Sequence, residues 1–247
     1  MKPVLEWQIA TLKSIHQETP RAKTFTLLLP NWMRHKAGQH YDVRLTAPDG
    51  YQAQRSYSVA SEPERSGEID LTVERIEDGE VSSYMHDVLI VGDLIEVRGP
   101  IGGYFVWDAS MVGPILLVAG GSGIVPLMAM IRHRAAAGSK TPARLLYSAR
   151  TPEDAIYYAE LIRLQNAQDG LEIAYTFTRR APAGWTGYAR RIDAEMLVEV
   201  AGPLGNDARA YICGPTLMVE SAADGLLQVG LAADHIRTER FGPTGGN

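Results

Sequence analysis

The stretch ILLVAGGSGIVP, residues 115–126, constrains this chain more than any other. Its first six residues are apolar or small and carry no charge, which reads as a buried strand; the glycines that follow break it at once. Gly121 and Gly123 permit a tight turn and the close approach of an anion to the backbone, and the apolar residues beyond them open a helix. Strand, glycine turn and helix start together offer backbone N–H groups and a positive dipole end to a pyrophosphate. Pro126 stands where the dinucleotide fingerprint has its third glycine, and proline is tolerated in a first helical turn. A ligand-free β–α turn reads the same way, so the motif must be weighed with its surroundings.

Those surroundings repeat the pattern. Apolar runs at 115–120, 143–148, 171–177, 208–213 and 235–241 alternate with helical segments near 125–137, 153–167, 193–200 and 216–229. The alternation predicts a doubly wound α/β domain on a parallel five-stranded sheet with right-handed crossovers. The first hundred residues differ. Segments 24–29, 41–46, 56–60, 69–76 and 94–98 are short and alternate in polarity, with Pro48-Asp49-Gly50 and Ser66-Gly67 as turns. They predict a small antiparallel β-barrel, interrupted by one short helix at 82–89. Breakers at 99–103 and 112–114 mark the join. The expected division is therefore a barrel over 1–103 and a nucleotide domain over 104–247.

Composition narrows the function classes. The chain has 247 residues, 24 basic against 29 acidic, and a net charge of −5. With a pI near 5.7, a nucleic-acid surface is not expected. Cys213 is the single cysteine, which rules out an internal disulfide, a thiolate-ligated iron–sulfur cluster and a multi-cysteine zinc site. The six histidines, His16, His35, His40, His86, His133 and His235, show no metal-ligand spacing and read as surface residues, so no metal is expected. Residues 1–14 lack a secretory pattern and no apolar run nears ~20 residues; a cytoplasmic protein without a membrane span is expected.

Three further groups suggest binding. The strand after the glycine turn ends in Ser148-Ala149-Arg150, with no acid until Glu153. An acid there would hold a ribose 2′-hydroxyl, whereas a hydroxyl and a guanidinium suit a 2′-phosphate, with Arg179 and Arg180 as reinforcement. This favours NADPH over NADH. On the barrel, Arg55-Ser56-Tyr57-Ser58 places an arginine and an aromatic on one strand face, suited to a ligand with both phosphate and ring. In Gly79-Glu80-Val81-Ser82-Ser83-Tyr84-Met85 a helix begins; Ser82 or Ser83 read alone is simply its N-cap.

The ordered set RSYS (55–58), GEVSSYM (79–85), GGSGIVP (120–126), YICGP (211–215) and TERF (238–241) resembles the ferredoxin–NADP reductase family across essentially the whole chain. The resemblance implies an FAD-binding barrel followed by an NAD(P)-binding domain. Arg55 would meet the flavin pyrophosphate, and Ser56 belongs to the same strand motif. Tyr57 would pack on the flavin–ribityl part and Ser58 would lie near the flavin N5. Gly79, Val81, Ser82 and Ser83 would cradle the FAD phosphates. Gly121, Ser122 and Gly123 would take the pyridine-nucleotide pyrophosphate, and Cys213, Gly214 and Pro215 would meet the nicotinamide. Glu239 and Phe241 match a terminal acid–x–aromatic arrangement whose ring covers the isoalloxazine. Here GPTGGN follows the aromatic, whereas several relatives end at it.

The implied activity is hydride transfer from NADPH to FAD, followed by single-electron delivery. Ser58, Cys213 and Glu239 are the catalytic candidates, Cys213 as a polarisable wall of the site and not as a nucleophile. Two other readings stay open: Cys213 as a buried strand-end residue, and Glu239 as a partner of Arg237 or Arg240. With one cysteine, the chain must pass electrons to a separate carrier, a ferredoxin or similar protein. Arg34 and Lys36 are candidates to receive it, or else form a solvated turn. The alternatives are a free-flavin reductase, which needs added flavin for turnover, and a non-catalytic nucleotide-binding subunit.

Overall fold

The computed structural model describes residues 5–241. These divide into two compact units. One runs to Asp108 and takes in Met128–Ala136; the other comprises Ala109–Leu127 and the chain from Ala137 onward.

The first unit is an antiparallel sheet of six strands: β1 (Gln8–Thr19), β2 (Ala22–Leu28), β3 (His40–Thr46), β4 (Gln52–Ser58), β5 (Glu68–Glu74) and β6 (Leu94–Ile101). Their order is β4-β3-β6-β1-β2-β5. Val59, just past β4, bridges back to Leu71 of β5, and Ala60 N–H donates to the Asp70 carbonyl at 2.8 Å, so the sheet closes on itself. Closure removes the exposed edges that an open antiparallel sheet would present. Phe25, Leu27, Tyr41, Val43, Leu71 and Val97 fill the interior. Helix α1 (Glu80–Asp87) contributes Val81 and Met85 to the same core. The expected strands are present, their bounds shifted by at most four residues, the start of β4 at Gln52 being the largest difference.

Strand β1 was not among those expected. Its sequence QIATLKSIHQET does not hold a period of two, because β-bulges between Leu12 and Ser14 and between Gln17 and Thr19 reset the alternation. Ala10 and Leu12 point inward, whereas Ile9 is exposed. The surface placement of the histidines needs a second correction, since His35, His86 and His133 are buried. Each ring finds a polar partner: His35 Nε2 with the Ser61 carbonyl at 3.0 Å, His86 Nε2 with the Val73 carbonyl at 2.8 Å, and His133 Nδ1 with Glu64 at 3.0 Å. Burial pushes the His35 and His86 rings below the ordinary imidazole range.

The second unit holds five parallel strands: β7 (Ile115–Gly120), β8 (Ala143–Ala149), β9 (Leu171–Phe177), β10 (Arg209–Pro215) and β11 (Ile236–Phe241). Their order, β11-β10-β7-β8-β9, places β7 at the centre, where the crossovers change direction. Ligands of open parallel sheets bind at this switch point, beyond the carboxyl ends of the strands. Helices α4 (Ala194–Ala201) and α5 (Thr216–Val229) cover one face through Met196, Leu197, Val219 and Leu226. Asp193 caps α4, accepting from Met196 N–H at 3.0 Å. On the other face Tyr158 of α3 (Tyr158–Gln165) meets Tyr175 edge-on, with ring centroids 5.2 Å apart. The expected helix over 153–167 is shorter than its sequence suggests. Tyr157 adopts a left-handed φ of 61°, which separates α3 from a 3₁₀ turn at Pro152–Asp154. Helix α2 (Ile124–Ala136) starts at the glycine turn in the second unit, and its residues from Met128 belong to the first.

Candidate functional site

The residues singled out in the sequence fall into one cluster in each unit. In the first, alternation along β4 turns Tyr57 and Ala53 to the core side, and Arg55 shares their face. The Arg55 guanidinium donates to the adjacent Gln54 carbonyl at 2.6 Å and pairs with no carboxylate among the described residues. It is close enough to hold down the hydroxyl pKa of both Tyr51 and Tyr57, although burial still pushes Tyr57 up to about 12. An exposed, unneutralised guanidinium beside aromatic rings fits a phosphate-bearing ring system. Ser56 faces the other way, donating to Asp42 at 2.7 Å; Arg98 holds the same carboxylate at 2.8 Å. Its side chain ties β4 to β3, leaving its backbone as the part free to meet a ligand.

Helix α1 explains why the GEVSS sequence looks as it does. Gly79, its N-cap, has no side chain to cap the helix, and a Cβ there would come within 2.5 Å of Ser82 Oγ. Ser82 Oγ accepts from Ile76 N–H at 3.2 Å and donates to the Gly79 carbonyl; Ser83 donates to the Ile76 carbonyl. The two serines therefore tie down the entry loop instead of capping the free N–H groups of the first turn. That end keeps donors for an anion. The donor set fits a flavin nucleotide: a free guanidinium, an uncapped helix start and a partly buried tyrosine.

In the second unit the turn after β7 is a 3₁₀ segment, Gly121–Gly123, leading into α2. Gly121 has a φ of +55° and a Cβ on it would meet nothing within 4 Å, so the turn is both glycine-specific and open. Gly123 is the reverse case: a Cβ there would run into the carbonyl of Cys213. This close approach locks the turn against the end of β10. Tyr147 braces it from β8, donating to the Gly121 carbonyl at 3.2 Å while accepting from Ile156 N–H at 3.0 Å. A Cβ on Gly214 would meet the end of the Met218 side chain at 2.7 Å and the Gly120 backbone at 3.2 Å, a looser constraint than at Gly123.

Cys213 and Glu239 are register partners on β10 and β11. Burial, aided by the Glu239 charge, pushes the Cys213 thiol well above its ordinary range, so it stays protonated. Desolvation raises Glu239 to about 7. Its Oε2 is buried without a hydrogen-bond partner, and no ion pair joins it to Arg237 or Arg240 among the described residues. Arg240 leans towards Thr238 and Glu220, while Arg237 donates to the Asp234 carbonyl. Thr216 opens α5 directly after Cys213-Gly214-Pro215, and its Oγ1 too is buried and unpartnered. Sequence reading passed over Thr216; the signal available was a hydroxyl residue at a helix start beside the CGP turn. Phe241 ends β11 opposite Pro215 and is 37% exposed, and the GPTGGN tail lies outside the described residues.

Among the basic residues, Arg150 and Arg179 are exposed, and among the described residues neither pairs with a carboxylate. Backbone bonds from Arg179 and Arg180 to the Arg150 carbonyl, at 2.9 and 3.1 Å, fasten the two loops together. Arg180 itself reaches Glu153 at 3.0 Å. Arg34 is paired with Glu64 at 2.7 Å, whereas Lys36 is exposed. No helix among the described residues is long and apolar enough to cross a membrane.

The two units correspond to two known domains. Residues 9–106 match the oxidoreductase FAD-binding domain, and residues 117–224 match the oxidoreductase NAD-binding domain. The protein is thus an oxidoreductase of the FAD- and NAD(P)-dependent class. The chain is 35% identical over 210 residues to ferredoxin–NADP reductase B of Sorangium cellulosum, covering 83% of this chain and 85% of that one. It is 31% identical over 232 residues to the glycine betaine monooxygenase reductase subunit of Chromohalobacter salexigens. That match covers 92% of this chain but only 62% of the relative, so the chain spans about three-fifths of that longer protein. A ferredoxin–NADP⁺ reductase from Neisseria gonorrhoeae, solved with FAD and NADP bound, superimposes with a TM-score of 0.82 at 22% identity. It covers 95% of this chain and 98% of its own length. The chain belongs to the ferredoxin–NADP reductase family.

Proposed function

We propose that the protein takes hydride from NADPH onto FAD and releases the electrons singly to a separate carrier of the ferredoxin type. FAD, when bound, supplies the two-electron to one-electron conversion. Arg55 and the start of α1 would hold its pyrophosphate, and Tyr57 would pack on its flavin half. The Gly121-Ser122-Gly123 turn would hold the pyridine-nucleotide pyrophosphate, with Ser148, Arg150 and Arg179 receiving the 2′-phosphate. Cys213, Gly214, Pro215 and Thr216 would form the wall against the nicotinamide, and Ser58 and Glu239 would supply polar groups near the reacting rings.

The observation that carries this reading is the pairing, in one chain, of a free arginine beside an uncapped helix start with a glycine turn locked onto Cys213. Reductase names among the relatives support it. The carrier is supported by the same names. Anaerobic mixing of the FAD-loaded protein with NADPH tests the reading: the flavin absorbance should bleach, and added ferredoxin should restore it. Bleaching restored only by free FMN or FAD would favour a free-flavin reductase. A protein that takes up no FAD would defeat both.

A further inference from the structure

Two arginine–histidine pairs, Arg34-His35 and Arg132-His133, close on one short segment of the barrel unit, residues 60–64, which begins two residues after Ser58. The first pair lies in the loop between β2 and β3; the second lies on the part of α2 that belongs to this unit. His35 Nε2 donates to the Ser61 carbonyl at 3.0 Å, and the Arg132 guanidinium donates to the adjacent Ala60 carbonyl at 2.8 Å. His133 Nδ1 and Arg34 share the Glu64 carboxylate, at 3.0 and 2.7 Å. Ala60 and Ser61 are fully buried. From the sheet side, Ala60 N–H donates to the Asp70 carbonyl at 2.8 Å, and the Ser61 hydroxyl accepts from Asp70 N–H at 3.0 Å. The segment is therefore gripped from both sides.

What precedes the segment shows why it needs holding. Strand β4 ends at Ser58, and the half-buried Ser58 side chain bonds to no other described residue. Its hydroxyl is placed by the backbone on either side. Upstream, ladder pairing with β3 runs as far as His40 and Ser58. Downstream, the chain leaves β4, and the two basic pairs fasten it. We propose that Arg132 and His133 are positioning residues for Ser58: they clamp the chain just beyond it and so fix where its hydroxyl stands. The proposal rests on the reading that puts Ser58 near the reacting rings. A group in that role must be held to within about 0.5 Å, which a strand end left loose does not provide. The guanidinium bond to Ala60 is charge-assisted, about twice as strong as a neutral one, and losing it strands a buried carbonyl.

Redox titration of the FAD-loaded protein, which reads the flavin midpoint potential without turnover, tests the clamp in wild type, Ser58→Ala, Arg132→Ala and the double variant. Arg132→Ala should shift the potential in the same direction as Ser58→Ala. Added to Ser58→Ala it should shift nothing further, since a positioning residue has no effect once the positioned group is gone. Arg132→Lys, which keeps a charged donor, should restore most of the wild-type value. FAD affinity should stay within about threefold, because Arg55 and α1 are untouched, while single-turnover reduction by saturating NADPH should slow about tenfold. An unmoved potential in Arg132→Ala, or additive shifts in the double variant (the mark of a bare charge effect), overturns the clamp and leaves the flavin reading in place. A loss of FAD affinity as large as that of Arg55→Ala also overturns it, by making Arg132 a support of the whole barrel. If Arg132→Ala does not fold, Glu64→Gln, which weakens the His133 and Arg34 contacts together, carries the same comparison. Ser58→Ala indistinguishable from wild type overturns the placement of Ser58 and the clamp with it.

Discussion

Cys213 and Glu239 sit directly opposite each other on adjacent parallel strands, a buried thiol beside a carboxylate whose Oε2 has no hydrogen-bond partner. Desolvation lifts Glu239 to about 7, so it changes protonation within the physiological range while the thiol does not. The sign for stability follows. Between the ordinary carboxylate pKa and about 7 the folded state holds a proton that the unfolded chain has released, so stability falls as pH rises through this window. Glu239→Gln should therefore melt higher than wild type at pH 8, by on the order of 1–2 kcal/mol, and equal it near pH 4.5. Thermal melts at the two pH values check this. In the proposed NADPH-dependent reaction the same variant should lose any inflection near pH 7.

Gly123→Ala addresses the turn instead of the acid. Its new methyl group would collide with the Cys213 carbonyl, backbone that has no flexible side chain to swing away. The turn must open, and overpacking of this kind costs about 1–3 kcal/mol. Because the change lies in the second unit, flavin content should hold near wild type while NADPH affinity falls more than tenfold. Gly121→Ala is a useful contrast, with no steric conflict but a left-handed φ of +55° to maintain. Calorimetric titration with NADP⁺ separates the two effects.

Much of this arrangement was legible beforehand, and particular residues show why. The glycine turn, the CGP turn and the doubly wound order follow from apolar runs that a parallel sheet buries on both faces, and such runs carry a strong signal. Strand β1 was illegible because bulges after Leu12 and after Gln17 reset its alternation, so Leu12 and Ile15, which regular alternation would put on opposite faces, both pack on the core. The buried histidines were missed because composition cannot show which carbonyl or carboxylate will satisfy a ring; Ser61, Val73 and Glu64 become partners only through tertiary folding. Thr216 and the Arg132–Ala60 contact were missed for the same reason: the first needs burial to be noticed, and the second joins residues 72 apart in sequence.

Arg55→Ala should release flavin. The guanidinium makes no ion pair among the described residues and bonds only to its neighbour's carbonyl, so its removal costs the barrel little. Loss of a charge-assisted contact to phosphate, ~1.5–3 kcal/mol, corresponds to a fall in flavin affinity of roughly ten- to more than hundredfold. FAD and FMN should suffer alike, since both carry the phosphate nearest the ribityl chain. Equilibrium dialysis of the variant, with a melting curve of the apo-protein as the stability control, distinguishes weakened binding from damage to the fold.

Cofactor choice is the last expectation, and it turns on two arginines held side by side. Arg150 and Arg179 project from loops fastened by the Arg179 N–H to Arg150 carbonyl bond at 2.9 Å, and both are exposed. A 2′-phosphate carries the charge they would neutralise; the 2′-hydroxyl of NADH does not. Arg150→Ala should lower kcat/KM for NADPH about ten- to hundredfold and leave NADH within about threefold, with the loss concentrated in KM. Arg180→Ala should change little, because its partner Glu153 already offsets its charge at the surface. Raising the salt concentration should weaken NADPH binding in wild type more than in Arg150→Ala, since exposed charge pairs are screened. Equal losses for both nucleotides in Arg150→Ala would place the 2′-phosphate elsewhere.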